Sequence, residues 1–105
     1  MKSLYFPHDA NAHENILIIE LRMCFGWEAY GIFWAILEIL RTAENYRTAY
    51  NINILAYKLH IDSKKLDDIV SKCVELDILQ TDDNMLFCNE LIERMKRLES
   101  KSFNA

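Results

Sequence analysis

Between Ile54 and Cys88 the chain sets two apolar helical stripes, a short polar break, and two apolar runs around a polar turn directly one after another. Ile54, Leu55, Tyr57 or Lys58, and Leu59 form the stripe of a short helix. Asn51 or Asn53 can cap it, because a side-chain oxygen there satisfies a free amide of the first turn. Residues 60–63 break the pattern, and Asp62 or Ser63 can cap the next helix. Its apolar positions, Leu66, Ile69, Val70, Cys73, Val74 and Leu76, recur at steps that keep one helix face dry. Residues 78–81 and 85–88 flank Asp82-Asp83-Asn84 as two short strands flank a hairpin turn. Asn89 then caps a last helix with Leu91, Ile92, Met95 and Leu98 on one side.

The order helix, tight turn, helix, hairpin, helix predicts a winged helix–turn–helix. Its class is mainly α with a small β-hairpin: an N-terminal arm, about five helices and a two-stranded wing. Ala56 is small where two helices must approach, Leu59 and Ile61 straddle the turn and fill the space beneath it, and Leu66, Ile69 and Val70 face the same core.

Upstream, Leu4-Tyr5-Phe6 before Pro7 predicts an extended arm, since proline biases the preceding residue away from helix. Asn11-Ala12-His13-Glu14 has capping-box form. It opens a helix with Ile16, Leu17, Ile19, Leu21, Met23 and Cys24, apolar over much of its circumference and expected to be central, with Gly26 as its stop. A second helix from Trp27 to Ala43 sets Tyr30, Trp34 and Leu37 on a face widened by Phe33, Ile36 and Leu40. Gly31 within it costs about 1 kcal/mol against alanine and reads as room for a close helix neighbour. Residues 44–50 read as a loop that can hold a short strand. Residues 1–99 then form a single domain and 100–105 begin a tail, as in a domain cut from a longer protein.

Two glycines and one proline in 105 residues exclude a turn-rich β sandwich or a flexible linker. No uninterrupted apolar run reaches the roughly 18 residues of a bilayer span, and the first residues lack a secretory pattern, so no membrane partner is expected. Cys24, Cys73 and Cys88, odd in number and widely spaced, read as free core thiols of a cytoplasmic protein. His8, Asp9 and His13 match no zinc spacing and read as structural; His60 reads as a partly buried spacer at the turn. No glycine-rich phosphate loop, nucleophile motif or acid–base pair is present. The expectation is a non-enzymatic domain with no cofactor, no metal and no small-molecule substrate.

A helix–turn–helix presents the first residues of its second helix to the major groove. Those residues are Ser63, Lys64 and Lys65, followed by Lys72, with Lys58 and the hairpin tip at Asn84 assisting. Charge weighs against tight binding. Lys58, Lys64, Lys65 and Lys72 face Asp62, Asp67 and Asp68 in the same stretch, Asp82 and Asp83 sit at the tip, and the whole chain carries a formal net charge of −4. The rival reading is a protein–protein or self-association module. Trp27, Tyr30, Phe33 and Trp34 read as core, but an exposed edge of them, joined by Tyr5 and Phe6, would suit a partner. Arg94, Lys96, Arg97 and Lys101 read as a solvated helix end that can also supply phosphate contacts.

Tyr5-Phe6-Pro7-His8-Asp9, Leu21-Arg22-Met23 and the block Gly26-Trp27-Glu28-Ala29-Tyr30-Gly31-Ile32-Phe33-Trp34 resemble a bacterial and prophage family of unknown function. That family is related to the N-terminal domains of phage replisome organisers and DnaD-like primosomal proteins. The resemblance runs from about Tyr5 to Lys101. It implies a winged-helix fold and a DNA-binding role near replication of mobile elements, with DNA, a second copy or a replication protein as partner. In DnaD-like relatives the same fold also mediates self-association, so fold alone does not assign the role.

Overall fold

The computed structural model describes residues 15–104. The expected arm and the Asn11–Glu14 capping box lie outside that span, as do His8, Asp9, His13, Tyr5 and Phe6. Asn15, rather than Asn11, caps the first helix, its side chain accepting from the Leu17 amide at 2.9 Å. This helix, α1, runs Ile16–Thr42. Gly26 sits at φ 75°, ψ −169°, a conformation that breaks the hydrogen-bond ladder, yet helical geometry resumes at once. The two helices expected on either side of Gly26 are therefore one element with a kink. Among the described residues there are four α-helices, not five.

Thr42 and Ala43 end α1, the Ala43 amide donating to the Leu40 carbonyl at 3.1 Å. A 3₁₀ turn (Glu44–Tyr46) leads to β1 (Arg47–Ala49), then α2 (Ile52–Leu59), α3 (Ser63–Glu75), β2 (Gln80–Asp82), β3 (Met85–Phe87) and α4 (Asn89–Asn104). The sheet has three antiparallel strands in the order β1-β3-β2, so the expected two-stranded ribbon gains a member. Arg47 pairs with Phe87 and Ala49 with Met85 on one side of β3, and Gln80 with Phe87 and Asp82 with Met85 on the other. Arg47-Thr48-Ala49 carries no apolar alternation of its own; pairing with the central strand makes it a strand. Asn89 is the first residue of α4 rather than its cap, and its amide donates to Gln80 Oε1 at 2.7 Å.

One core joins every helix to the hairpin. Leu21, Ile36 and Leu40 of α1, Leu55 of α2, Leu66, Ile69 and Val70 of α3, Leu86 of β3 and Leu91 of α4 are all at most 1% exposed. The start of α1 is less central than its composition suggests. Only Ile18 and Leu21 of its first turns are buried, while Ile16, Met23 and Cys24 face outward. Gly31 is exposed, and nothing lies within 4 Å of where its Cβ would be, so no helix approaches there. By length and composition alone α1 is apolar enough to cross a membrane, with a mean hydropathy of 1.3 over its most apolar window. No single unbroken apolar run announces this, because Glu20, Arg22 and Glu28 interrupt it. In the fold its buried face is the centre of the core.

Cys73 and Cys88 are buried and free; Cys24 is free and exposed, which corrects its reading as a core thiol. Burial pushes the Cys73 thiol up from 9.0 to about 12. Below pH 9 the thiol keeps its proton in both folded and unfolded chains. Above it only the unfolded chain ionises, so stability falls as pH climbs towards 12, by up to about 1.4 kcal/mol per pH unit from this group. Urea unfolding at about pH 8.5 and about pH 10.5 should show a steeper loss for the wild type than for Cys73→Ala.

Candidate nucleic-acid interface

The junction between α2 and α3 is built by three local devices. Asn51 caps α2, its Oδ1 accepting from the Ile54 amide at 3.2 Å. His60 closes α2 in the left-handed conformation (φ 59°, ψ 44°), and its amide reaches the Ala56 and Tyr57 carbonyls. It is exposed there, so its reading as a partly buried spacer is corrected. Asp62 caps α3, its Oδ2 accepting from the Lys65 amide at 3.0 Å. Leu59 and Ile61 pack half-buried against the core on either side of the turn, and the Ile61 amide bonds the Ala56 carbonyl at 3.0 Å. Leu55 and Ala56 of α2 meet Leu66, Ile69 and Val70 of α3 in that core, which fixes α3 with its first turn outward.

Ser63, Lys64 and Lys65 occupy that outward turn and are all exposed. Each lysine already has an acid beside it. Lys64 Nζ lies 3.0 Å from Asp68 Oδ1, one helical turn on, and Asp68 raises the ammonium pKa. Lys65 Nζ lies 3.2 Å from Glu28 Oε1 of α1. Lys72 lies 3.3 Å from Glu75 Oε2, and Glu75 raises its pKa with smaller contributions from Cys24 and Glu20. Lys65 and Lys72 thus share the flank of α3 that borders α1, whereas Lys64 stands on the open face. Lys58, exposed on α2, makes no ion pair among the described residues. Every lysine of α3 is thus paired with an acid, so the face carries no continuous positive strip, in keeping with the weak charge balance of this stretch.

The hairpin tip is a two-residue turn, Asp83 at φ 54° and Asn84 at φ 61°. Two positive φ angles give the mirror-image turn whose twist suits a hairpin, and Asp and Asn tolerate them. The Asn84 carbonyl accepts from the Tyr50 amide at 2.9 Å, tying the tip to the chain just before α2. Asp82 and Asp83 are exposed beside it and would repel a phosphate.

Residues 5–99 match the model of the Lin1244/Lin1753-like, N-terminal family. The chain belongs to this family. No curated protein and no solved structure matches it.

In this Lin1244/Lin1753-like N-terminal domain the aromatic block divides. Phe33 is core, while Tyr30 and Trp34 are half-buried and Trp27 is 61% exposed. The rings of Trp27, Tyr30 and Trp34 stack edge to face, with centroids 5.7 and 5.9 Å apart. The Arg22 guanidinium lies 3.7 Å from the Trp27 ring centre, a cation–π contact. Ile54 and Tyr57, expected on the dry stripe of α2, are instead on its outer side at 52% and 81% exposed, and Met23 of α1 is 79% exposed. Neither these outward apolar residues nor the Glu28–Lys65 pair had a local signal. Glu28 is far from Lys65 in sequence, and an eight-residue helix such as α2 is too short for periodicity to separate its faces.

Proposed function

We propose that this domain is a winged helix–turn–helix module that binds DNA through the first turn of α3, in a replication-initiation or phage replisome organiser setting. The observation that carries the reading is the exposed Ser63-Lys64-Lys65 turn, seated on a packed α2–α3 seam and followed by an antiparallel hairpin. The resemblance of the Gly26–Trp34 block supports the replication setting. The acids beside the lysines weaken binding without forbidding it. Pairs as exposed as Lys64–Asp68 and Lys65–Glu28 are screened by solvent and weakly held, so a DNA phosphate can take the carboxylate's place. About three phosphate contacts give a log–log salt slope near −3, hence binding confined to low salt. Fluorescence anisotropy on duplex DNA at low salt should show saturable binding by the wild type and none by Lys64→Glu/Lys65→Glu, with unchanged circular dichroism. Equal affinity of the two proteins refutes the assignment.

A second reading has its own observation. Met23, Trp27, Ile54 and Tyr57 place large apolar groups in water on α1 and α2, as a protein–protein or self-association surface does. Light scattering at rising concentration separates the readings: an oligomer whose size ignores DNA favours association.

A further inference from the structure

Away from α3 the chain forms a cleft of about 520 Å³ between the end of α1, the 3₁₀ turn, β1 and α4. That volume is ordinary for a small-ligand site. Arg41 lies thirteen positions along α1 from Glu28, about 20 Å at 1.5 Å per residue, so the cleft is separate from the α3 turn.

Its lining is cationic. Arg41 enters from the last turn of α1, Arg47 from the start of β1 and Lys96 from α4, with Asn45, Tyr46 and Glu99 around them. Unlike the α3 lysines, none of the three cations makes an ion pair among the described residues. Arg47 is positioned by stacking, its guanidinium 4.0 Å from the Phe87 ring centre. Asn45 and Tyr46 both hold positive φ, 56° and 60°, an uncommon conformation for two successive non-glycine residues. Tyr46 reaches across to α4, where its hydroxyl donates to Glu99 Oε2. The carbonyl end of α1, which would repel an anion, is partly satisfied: Ala43 N–H donates to Leu40 O at 3.1 Å, and the Thr42 hydroxyl donates to Glu38 O and Ile39 O.

We infer that this cleft binds a terminal phosphate or diphosphate group, with Arg41, Arg47 and Lys96 neutralising it and the Tyr46 hydroxyl donating to it in place of Glu99. Glu99 is then the internal anion that holds the donor in position while the cleft has no ligand. The same phosphate chemistry is offered by a free nucleotide and by the 5′ end of a nucleic acid strand. The inference does not depend on α3 touching DNA.

The test is calorimetric titration of the full chain with inorganic pyrophosphate at low salt. Arg41→Glu and Lys96→Glu change exposed side chains, so the fold should persist by circular dichroism, and each should weaken binding at least about tenfold. Glu99→Gln removes the competing charge and should tighten binding, an outcome that general surface attraction does not predict for one residue. The inference is overturned if the wild type does not bind, or if all four proteins bind alike. With binding established, a nucleoside diphosphate that matches pyrophosphate identifies a free nucleotide as the source. A 5′-phosphorylated oligonucleotide that outbinds its 5′-hydroxyl twin identifies a strand end.

Discussion

Truncating Leu66 to alanine is expected to cost about 2–5 kcal/mol, the range for removing a buried leucine whose surroundings collapse only in part. Leu66 is fully buried in the first turns of α3, where α1 and α2 meet it. A domain of this size holds roughly 5–15 kcal/mol in all, so the variant should unfold at a much lower urea concentration. The slope of the transition should be unchanged, because the surface exposed on unfolding is the same. The matching truncation of Ile54, which is half in water on the outer side of α2, should cost well under 1 kcal/mol. If the two variants unfold together, the seam does not run where α2 and α3 place it.

Gly26→Ala and Gly31→Ala should move stability in opposite directions, although both add one methyl group to the same helix. At Gly26 the backbone holds φ 75° and ψ −169°, a region that is essentially glycine's alone, so alanine there costs about 1–3 kcal/mol through backbone strain. No atom lies within 4 Å of the added carbon, so packing cannot account for the loss. Gly31 sits in regular helix with the same open space, and alanine should stabilise it by up to about 1 kcal/mol. Paired thermal melts of the two variants against wild type read the difference directly. A gain at Gly26 would mean that the kink relaxes into continuous helix.

The two glycines also show where the sequence is informative. That Gly26 adopts a left-handed φ is legible, because glycine is the residue that can. The helix from Trp27 is legible too; that it joins the one before Gly26 as a single kinked element is not, because the angle at the kink is decided by how Ala29, Ile32 and Phe33 pack, and those contacts are distant in sequence. The α2 and α3 caps, the hairpin tip and the dry stripe of α3 were readable for the same reason: each is set by residues within one turn of each other. β1 was only faintly readable, since Arg47-Thr48-Ala49 acquires strand geometry from β3. At the candidate interface the lysines could be named and the Lys64–Asp68 pairing anticipated from spacing. The partner of Lys65 could not, nor the cleft where Arg41 and Arg47 meet Lys96, because these residues come together only in three dimensions. On α4, Ile92 reads as part of the dry side and Lys96 as part of a solvated helix end, and nothing nearby in sequence says that they line one cleft with Glu99.

The sheet limits how copies of this chain can assemble. Its outer strands, β1 and β2, are three residues each, and they set Arg47 and Asp82 at the margins. A margin so brief and so charged offers an incoming strand few backbone partners and a penalty for burying ions, so fibre-like growth by strand addition has no foothold there.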